Sequence, residues 1–167
     1  GIAFDADVVR VAAYLARLAE IAAPMQLVIE HPIDAGSRDA QIETYVRLRI
    51  ELARLGSTVK IVVDEWCNTL EDIRLFVEAG AADIIHVKTP DLGGINNTIE
   101  ALLFVRAHGL AAYCGGTCNE TDRSAQVSAQ VAMACGAWQI LAKPGMGVDE
   151  GLMIVGNEMA RTVEIAR

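Results

Sequence analysis

Groups that could do chemistry together stand at the ends of short apolar runs. The first run ends in Glu30-His31-Pro32, the second in Asp64-Glu65 and the third in Lys88-Thr89-Pro90. The fourth ends in Cys114-Gly115-Gly116-Thr117-Cys118 and the fifth in Lys143-Pro144-Gly145. The succession is carboxylate, carboxylate, amine, then a glycine-rich loop with a hydroxyl and thiols. On neighbouring strands about 4.8 Å apart, Glu30 and Asp64 can approach one cation, which would offset the repulsion of two anions. Hard oxygen donors of this kind suit Mg2+, which keeps waters and accepts substrate oxygens. A cation beside Lys88 disfavours the ammonium form and stabilises negative charge developing on a bound carboxylate. A neutral amine next to a Lewis acid can remove a proton α to a carboxylate.

Each group has a plainer use when taken singly. A carboxylate at a strand end also serves as a helix cap or as the partner of a loop lysine, and a lone lysine snorkels or pairs with an acid. The run of signs on consecutive strand ends is what argues for one site. Glu65 points to the side of its strand opposite Asp64 and is assigned a supporting or helix-contacting role. His31 and Asp34 fall at the mouth without a role, and Lys143 is expected to pair with a rim carboxylate. Glu120, Asp122 and Arg123 open the next helix, where the dipole favours acids. Trp138 and Met146 read as packing residues. Cys114 and Cys118 could form half of a zinc site, but no second Cys/His pair completes it, so structural zinc is not expected.

The elements that must position these groups follow from the pattern. Apolar, β-branched runs recur at Leu27-Val28-Ile29, Val59 to Val63, Ile84 to Val87, Leu110 to Tyr113 and Trp138 to Leu141. Between them lie stripes of helical period, such as Ile42, Tyr45, Leu48, Leu52 and Leu55, or Leu70, Ile73 and Val77. Gly56, Gly80, Gly109 and Gly136 stand where each helix should stop. Thr69 with Asp72, and Asn97 with Glu100, have the spacing of helix starts. Nearly continuous apolar strands separated by single helices predict βα units and a parallel sheet, with the chemistry at the strand C-termini. Periodicity alone leaves both an open doubly wound sheet and a (β/α)8 barrel.

The chain has 167 residues, 53% hydrophobic and 22% charged, with a net charge of −8 and a mean hydropathy of +0.32. That composition supports a sizeable core and excludes disorder. The acidic balance and the lack of a basic run argue against a nucleic-acid or anionic-membrane surface. Apolar stretches fall short of the ~18 residues that span a bilayer, and no signal-peptide pattern is present. The four cysteines read as reduced thiols, which with the missing leader predicts a cytoplasmic protein. The opening Gly1-Ile2-Ala3-Phe4 lacks an initiator Met and begins within an apolar pattern, so the chain is expected to be a fragment.

Three segments carry a resemblance. The run Lys88-Thr89-Pro90-Asp91-Leu92-Gly93-Gly94, the loop Tyr113-Cys114-Gly115-Gly116-Thr117-Cys118-Asn119-Glu120-Thr121 and the tail from Leu141 to Gly151 resemble the methylaspartate ammonia-lyases of the enolase superfamily. The similarity runs over essentially the whole chain, and the Cys-Gly-Gly-Thr-Cys-Asn-Glu-Thr loop is its most specific part. The resemblance implies an α/β fold, a (β/α)8 TIM barrel preceded by a capping domain, of which residues 1–167 would supply the last five βα units. It implies reversible loss of ammonia from L-threo-3-methylaspartate to give mesaconate, as in amino-acid degradation by glutamate fermentation. Glu30 and Asp64 would be two of three Mg2+ ligands, and Lys88 the base that takes the C3 proton to give a Mg-stabilised enediolate. Thr117 and Cys118 would hold substrate groups, and Leu141 would line the space for the substrate methyl. His86 lies on the same strand face as Lys88 and would contact a substrate carboxylate. The family is expected to carry Gln there, so His86 is a departure. K+ as an activator and a homodimer are implied as well.

On that reading the third metal ligand, an Asp, and a His serving as second acid/base group belong to the missing barrel strands. The isolated chain is expected to be inactive and poorly soluble, with unpaired strand edges beside Gln26 and Leu141. Another enolase-superfamily enzyme, such as an acid-sugar dehydratase, an epimerase or a cycloisomerase, would use the same carboxylates and lysine but is not expected to carry the Cys-Gly-Gly-Thr-Cys loop. A non-catalytic barrel remnant would show no Mg2+ response in the complete protein. A nucleotide-binding flavodoxin-like sheet is disfavoured by the absence of a glycine-rich phosphate loop after the first strand.

Overall fold

A computed structural model of the chain describes residues 2–116, 121–142 and 147–167. They divide into two compact units, residues 1–67 with 71–85, and residues 68–70 with 86–167.

The first unit begins with a short 3-10 turn, Ile2–Phe4, and helix α1, Val8–Ala22. Asp7 caps α1, its carboxylate accepting from the backbone N–H of Val9 at 2.9 Å and of Arg10 at 3.1 Å. Strand β1 (Val28–Glu30), helix α2 (Arg38–Arg54), strand β2 (Lys60–Val63) and helix α3 (Leu70–Glu78) follow. The strands are parallel, with Ile29 opposite Ile61, Glu30 opposite Val62, and Val63 opposite Ile85 of β3 (Ile84–Val87). The apolar stripe of α2 is buried through Tyr45, Leu48 and Leu52, against a core that includes Ile61, Ile73 and Phe76. Burying each such side chain is worth about 1.5–3 kcal/mol, which fixes the register against slippage. At the strand N-termini Asp83 accepts from Ile61 N–H at 3.0 Å and from Arg49 Nη2 at 2.9 Å, tying α2 to both strands.

The second unit holds the end of β3, helix α4 (Ile95–Ala107), strand β4 (Ala111–Cys114), helix α5 (Asp122–Cys135), strand β5 (Gln139–Ile140) and helix α6 (Val148–Ile165). Strands β4 and β5 are parallel, Tyr113 opposite Gln139 and Cys114 opposite Ile140. Thr121 and Ser124 form a reciprocal cap on α5, and Gly136 ends it at φ +70°. The buried face of α5 is built from small residues, Ala125, Ser128, Ala129 and Ala132, which lets neighbouring elements approach closely. Glu158 of α6 is buried yet ionised. Its carboxyl is held below the usual range first by Arg161 and then by Gln130 Nε2, which donates at 2.6 Å.

Strand order thus follows chain order within each unit, and every strand is followed by a helix. All four residues of β3 are buried, the polar His86 among three apolar residues. Two local expectations are corrected. Helix α4 starts at Ile95 after an extended Gly94, so Asn97 lies in its first turn, where its Nδ2 donates to Leu92 O at 2.7 Å instead of capping. Trp138 is 54% exposed; its N–H pairs with Ala112 O at 2.8 Å, holding the backbone in the sheet while the indole stays outside the core. No helix among the described residues is long and apolar enough to cross a membrane.

Candidate active site

In the first unit the two strand-end carboxylates come together. Glu30 is the last residue of β1 and lies opposite Val62, so Asp64, two residues past Val62, falls on the same face of the sheet. An oxygen of Glu30 lies within 4.8 Å of one of Asp64, close enough to converge on a single cation. Glu30 is exposed and Asp64 half-buried. Two hard, anionic donors at this separation fit a divalent ion such as Mg2+.

The loops that carry these acids are braced. His31, directly after Glu30, sits at φ +45°, and Trp66, two residues after Asp64, at φ +65°. Left-handed backbone at non-glycine residues is held only where the surroundings over-determine it. Here α2 supplies much of that hold. Gln41 Nε2 donates to Ile33 O at 2.7 Å, its Oε1 accepts from Ala35 N–H at 2.8 Å, and Tyr45 Oη donates to Ile33 O at 3.3 Å. Tyr45 Oη also lies 3.3 Å from His31 Nδ1. Burial pushes the Tyr45 phenol well above its ordinary value, so it stays a neutral donor. The second brace is Trp66, whose indole N–H donates to Asp34 Oδ1 at 2.9 Å. That bond, followed by one from Gly36 N–H, holds the Asp34 carboxyl below its usual range. Asp34 and His31 therefore have structural partners at the mouth, while Glu65 is exposed beside Asp64.

In the second unit His86 and Lys88 follow the two-residue alternation of a strand. His86 is 3% exposed, and its Nε2 lies 2.6 Å from Gly115 O. A carbonyl only accepts, so Nε2 carries the proton and Nδ1 is the other face of the ring. The ring packs on Tyr113 with centroids 4.3 Å apart. Lys88, one residue past β3, is half-buried and donates from Nζ to Asn68 Oδ1 at 3.4 Å. After β4 the chain passes through Gly115 and Gly116 at φ +98° and +89°, and Gly115 N–H donates to Val87 O at 3.1 Å. The half-buried Leu141 packs over Gly116. Thr117 and Cys118 lie outside the described residues, as do Glu120, Lys143 and Met146.

Residue-type reasoning missed Gln41, Tyr45, Trp66 and Asn68 as supports of the site. Only Tyr45 left a sequence trace, as a member of the α2 apolar stripe. A cavity of about 380 Å³ in the first unit is lined by Arg49, Lys60 and Asp83 at the strand N-termini, away from the acids.

A sequence profile described as methylaspartate ammonia-lyase C-terminus matches residues 1–167. Methylaspartate ammonia-lyase 2 of Carboxydothermus hydrogenoformans is 55% identical over 167 residues, which is 100% of this chain and 40% of that protein. The crystal structure of Citrobacter amalonaticus methylaspartate ammonia-lyase containing (2S,3S)-3-methylaspartic acid superposes with a TM-score of 0.95 at 51% identity, over 99% of this chain and 40% of the other. The Mg complex of β-methylaspartase from Clostridium tetanomorphum superposes with a TM-score of 0.94 at 52% identity, again over 99% and 40%. This chain therefore spans about two-fifths of the length of these relatives. Its fold class is α/β, a partial (β/α)8 barrel. By sequence and by structure, the chain belongs to the methylaspartate ammonia-lyase C-terminal family.

Proposed function

We propose that this chain is the catalytic C-terminal part of an enzyme that eliminates ammonia from L-threo-3-methylaspartate to give mesaconate. The observation that carries the proposal is the identity of 55% across all 167 residues to a methylaspartate ammonia-lyase. The paired strand-end acids and the strand-end lysine supply the matching chemistry.

Lys88 takes the proton from C3 of the substrate through a neutral Nζ. The electrons of that C–H bond delocalise toward the C4 carboxylate and then form the C2–C3 double bond as the C2–N bond breaks. Ammonia leaves from the substrate's ammonium group with the C2–N bond pair as its lone pair, and the abstracted proton remains on Lys88 until it exchanges with solvent. Glu30 and Asp64 would hold Mg2+ together with a third acid from outside this chain. Bound there, the ion would stabilise negative charge on the substrate carboxylate. The His86 Nε2 proton is engaged by Gly115 O, so the ring would donate to a substrate carboxylate from Nδ1 only in its doubly protonated form. Thr117 and Cys118 hold further substrate groups, and Leu141 lines the space for the substrate methyl. The same reading makes the complete enzyme a cytoplasmic homodimer that takes a small amino acid and responds to K+.

The test is Lys88→Ala in the full-length enzyme. Release of ammonia and mesaconate is expected to stop while Mg2+ binding, followed by calorimetry, is unchanged. Retained turnover would remove Lys88 from the role of base. Turnover of an acid sugar or a muconate in place of 3-methylaspartate would assign the chain to another enolase-superfamily reaction.

A further inference from the structure

A base carried on a lysine has a long, flexible stem to aim. Around Lys88 the main chain is fixed. Lys88 O accepts from Asp91 N–H at 3.1 Å and from Leu92 N–H at 3.3 Å, closing a turn straight after β3. Thr89, the next residue, is tied on two sides, its Oγ1 accepting from Ser128 Oγ of α5 at 3.2 Å and lying 3.6 Å from Cys114 Sγ of β4. Four methylenes still separate the anchored backbone from Nζ, and each is a rotatable position that backbone anchoring leaves open. The tip nonetheless has a defined place, because Nζ donates to Asn68 Oδ1 at 3.4 Å. Asn68 belongs to the same compact unit as Lys88 and stands two residues before helix α3.

We infer that Asn68 is a positioning residue for Lys88, its amide oxygen holding one N–H of the amine so that the lone pair is turned toward the C3 hydrogen of the substrate. The inference rests on Lys88 being the proton acceptor, as proposed above. A primary amine in its basic form has two N–H bonds and one lone pair, and rotation about Cε–Nζ exchanges their directions. An acceptor that fixes one N–H restricts the lone pair to few orientations, which is the kind of pre-arrangement that converts binding into rate. An amide oxygen suits the task better than a carboxylate. It accepts the same hydrogen bond but brings no net charge, so it does not hold the lysine as ammonium before the substrate arrives. Once the proton has moved, the bond becomes charge-assisted and shortens, favouring the transferred state.

The experiment uses the full-length enzyme carrying this chain, with Asn68→Ala and Asn68→Leu beside Lys88→Ala as the control. Three quantities are read: steady-state turnover of 3-methylaspartate, exchange of its C3 hydrogen with solvent deuterium, and Mg2+ affinity by calorimetry. Asn68 is exposed, so neither variant threatens the core, and Leu keeps the branched shape of Asn while removing the oxygen. Both Asn68 variants are expected to lower kcat and the exchange rate in parallel, by about tenfold or more. KM and Mg2+ affinity should stay within about twofold of wild type, because a residue that acts through the base alone changes neither substrate nor metal binding. Wild-type kcat and exchange in both variants, with Lys88→Ala inactive, would overturn the positioning role and leave Lys88 as the base. A raised KM or weakened Mg2+ binding at unchanged kcat would also overturn it, by moving Asn68 to a binding role. Exchange that survives Lys88→Ala would remove the base itself, and the positioning role with it.

Discussion

Gly116 and Leu141 approach so closely that only a residue without a side chain fits at position 116. A Cβ added there would collide with Leu141 Cδ2 and lie 2.9 Å from Cγ, and the backbone is at φ +89°. The close approach joins the end of β4 to the residue proposed to shape the space for the substrate methyl. Gly116→Ala is therefore expected to destabilise the full-length enzyme by about 1–3 kcal/mol through overpacking and backbone strain. Adding Leu141→Ala should recover the overpacking part and leave the strain. Thermal unfolding of the single and double variants checks this, and a Gly116→Ala protein as stable as wild type would contradict the contact.

Trp66 and Asp34 set up a pH-dependent contribution at the mouth of the first unit. The Asp34 carboxyl is lowered from its ordinary 3.8, first by the Trp66 indole N–H. A carboxylate lowered in the folded state contributes stability that is present above its unfolded value and is lost as pH falls through the folded one. Trp66→Phe removes the larger cause while keeping an aromatic ring. The stability difference between wild type and Trp66→Phe should be full near neutral pH and shrink as pH drops below about 4. Denaturant unfolding across that range is the measurement, and a difference that does not vary with pH would sink the assignment.

Glu30 is the more exposed of the two acids brought together at β1 and β2. Glu30→Gln keeps the shape and one acceptor oxygen but removes the charge, so Mg2+ affinity of the full-length enzyme should fall by at least about tenfold. Calorimetric titration with Mg2+ alone reads this directly. Affinity equal to wild type would take Glu30 out of the ligand set.

Much of the arrangement was legible in the sequence because its signals are local. The β-branched run from Ile84 to Val87, interrupted only by His86, is β3 residue for residue, and the glycines after the helices stand at positive φ. Glu30, Asp64 and Lys88 could be picked out because each ends or follows an apolar run, and strand C-termini are where parallel α/β folds do chemistry. The supports of the site were not legible. Asp34 and Trp66 are 32 residues apart, and Thr89 and Ser128 are 39 apart. No periodicity marks such pairs, since they meet only when two βα units pack. The Asn97 cap failed for a related reason. Its amide closes the preceding turn on Leu92 O, a competition between local acceptors that spacing alone does not resolve.

The pairing of Thr89 with Cys114 has a consequence for the thiol itself. Ser128 donates to Thr89 Oγ1, and the same hydroxyl lies 3.6 Å from Cys114 Sγ, where either group can donate. A sulfur that is fully buried against a hydroxyl has no approach path for an alkylating or oxidising reagent in the folded state. Labelling of Cys114 would therefore record how often β4 opens away from α5, making this thiol a clock for local unfolding.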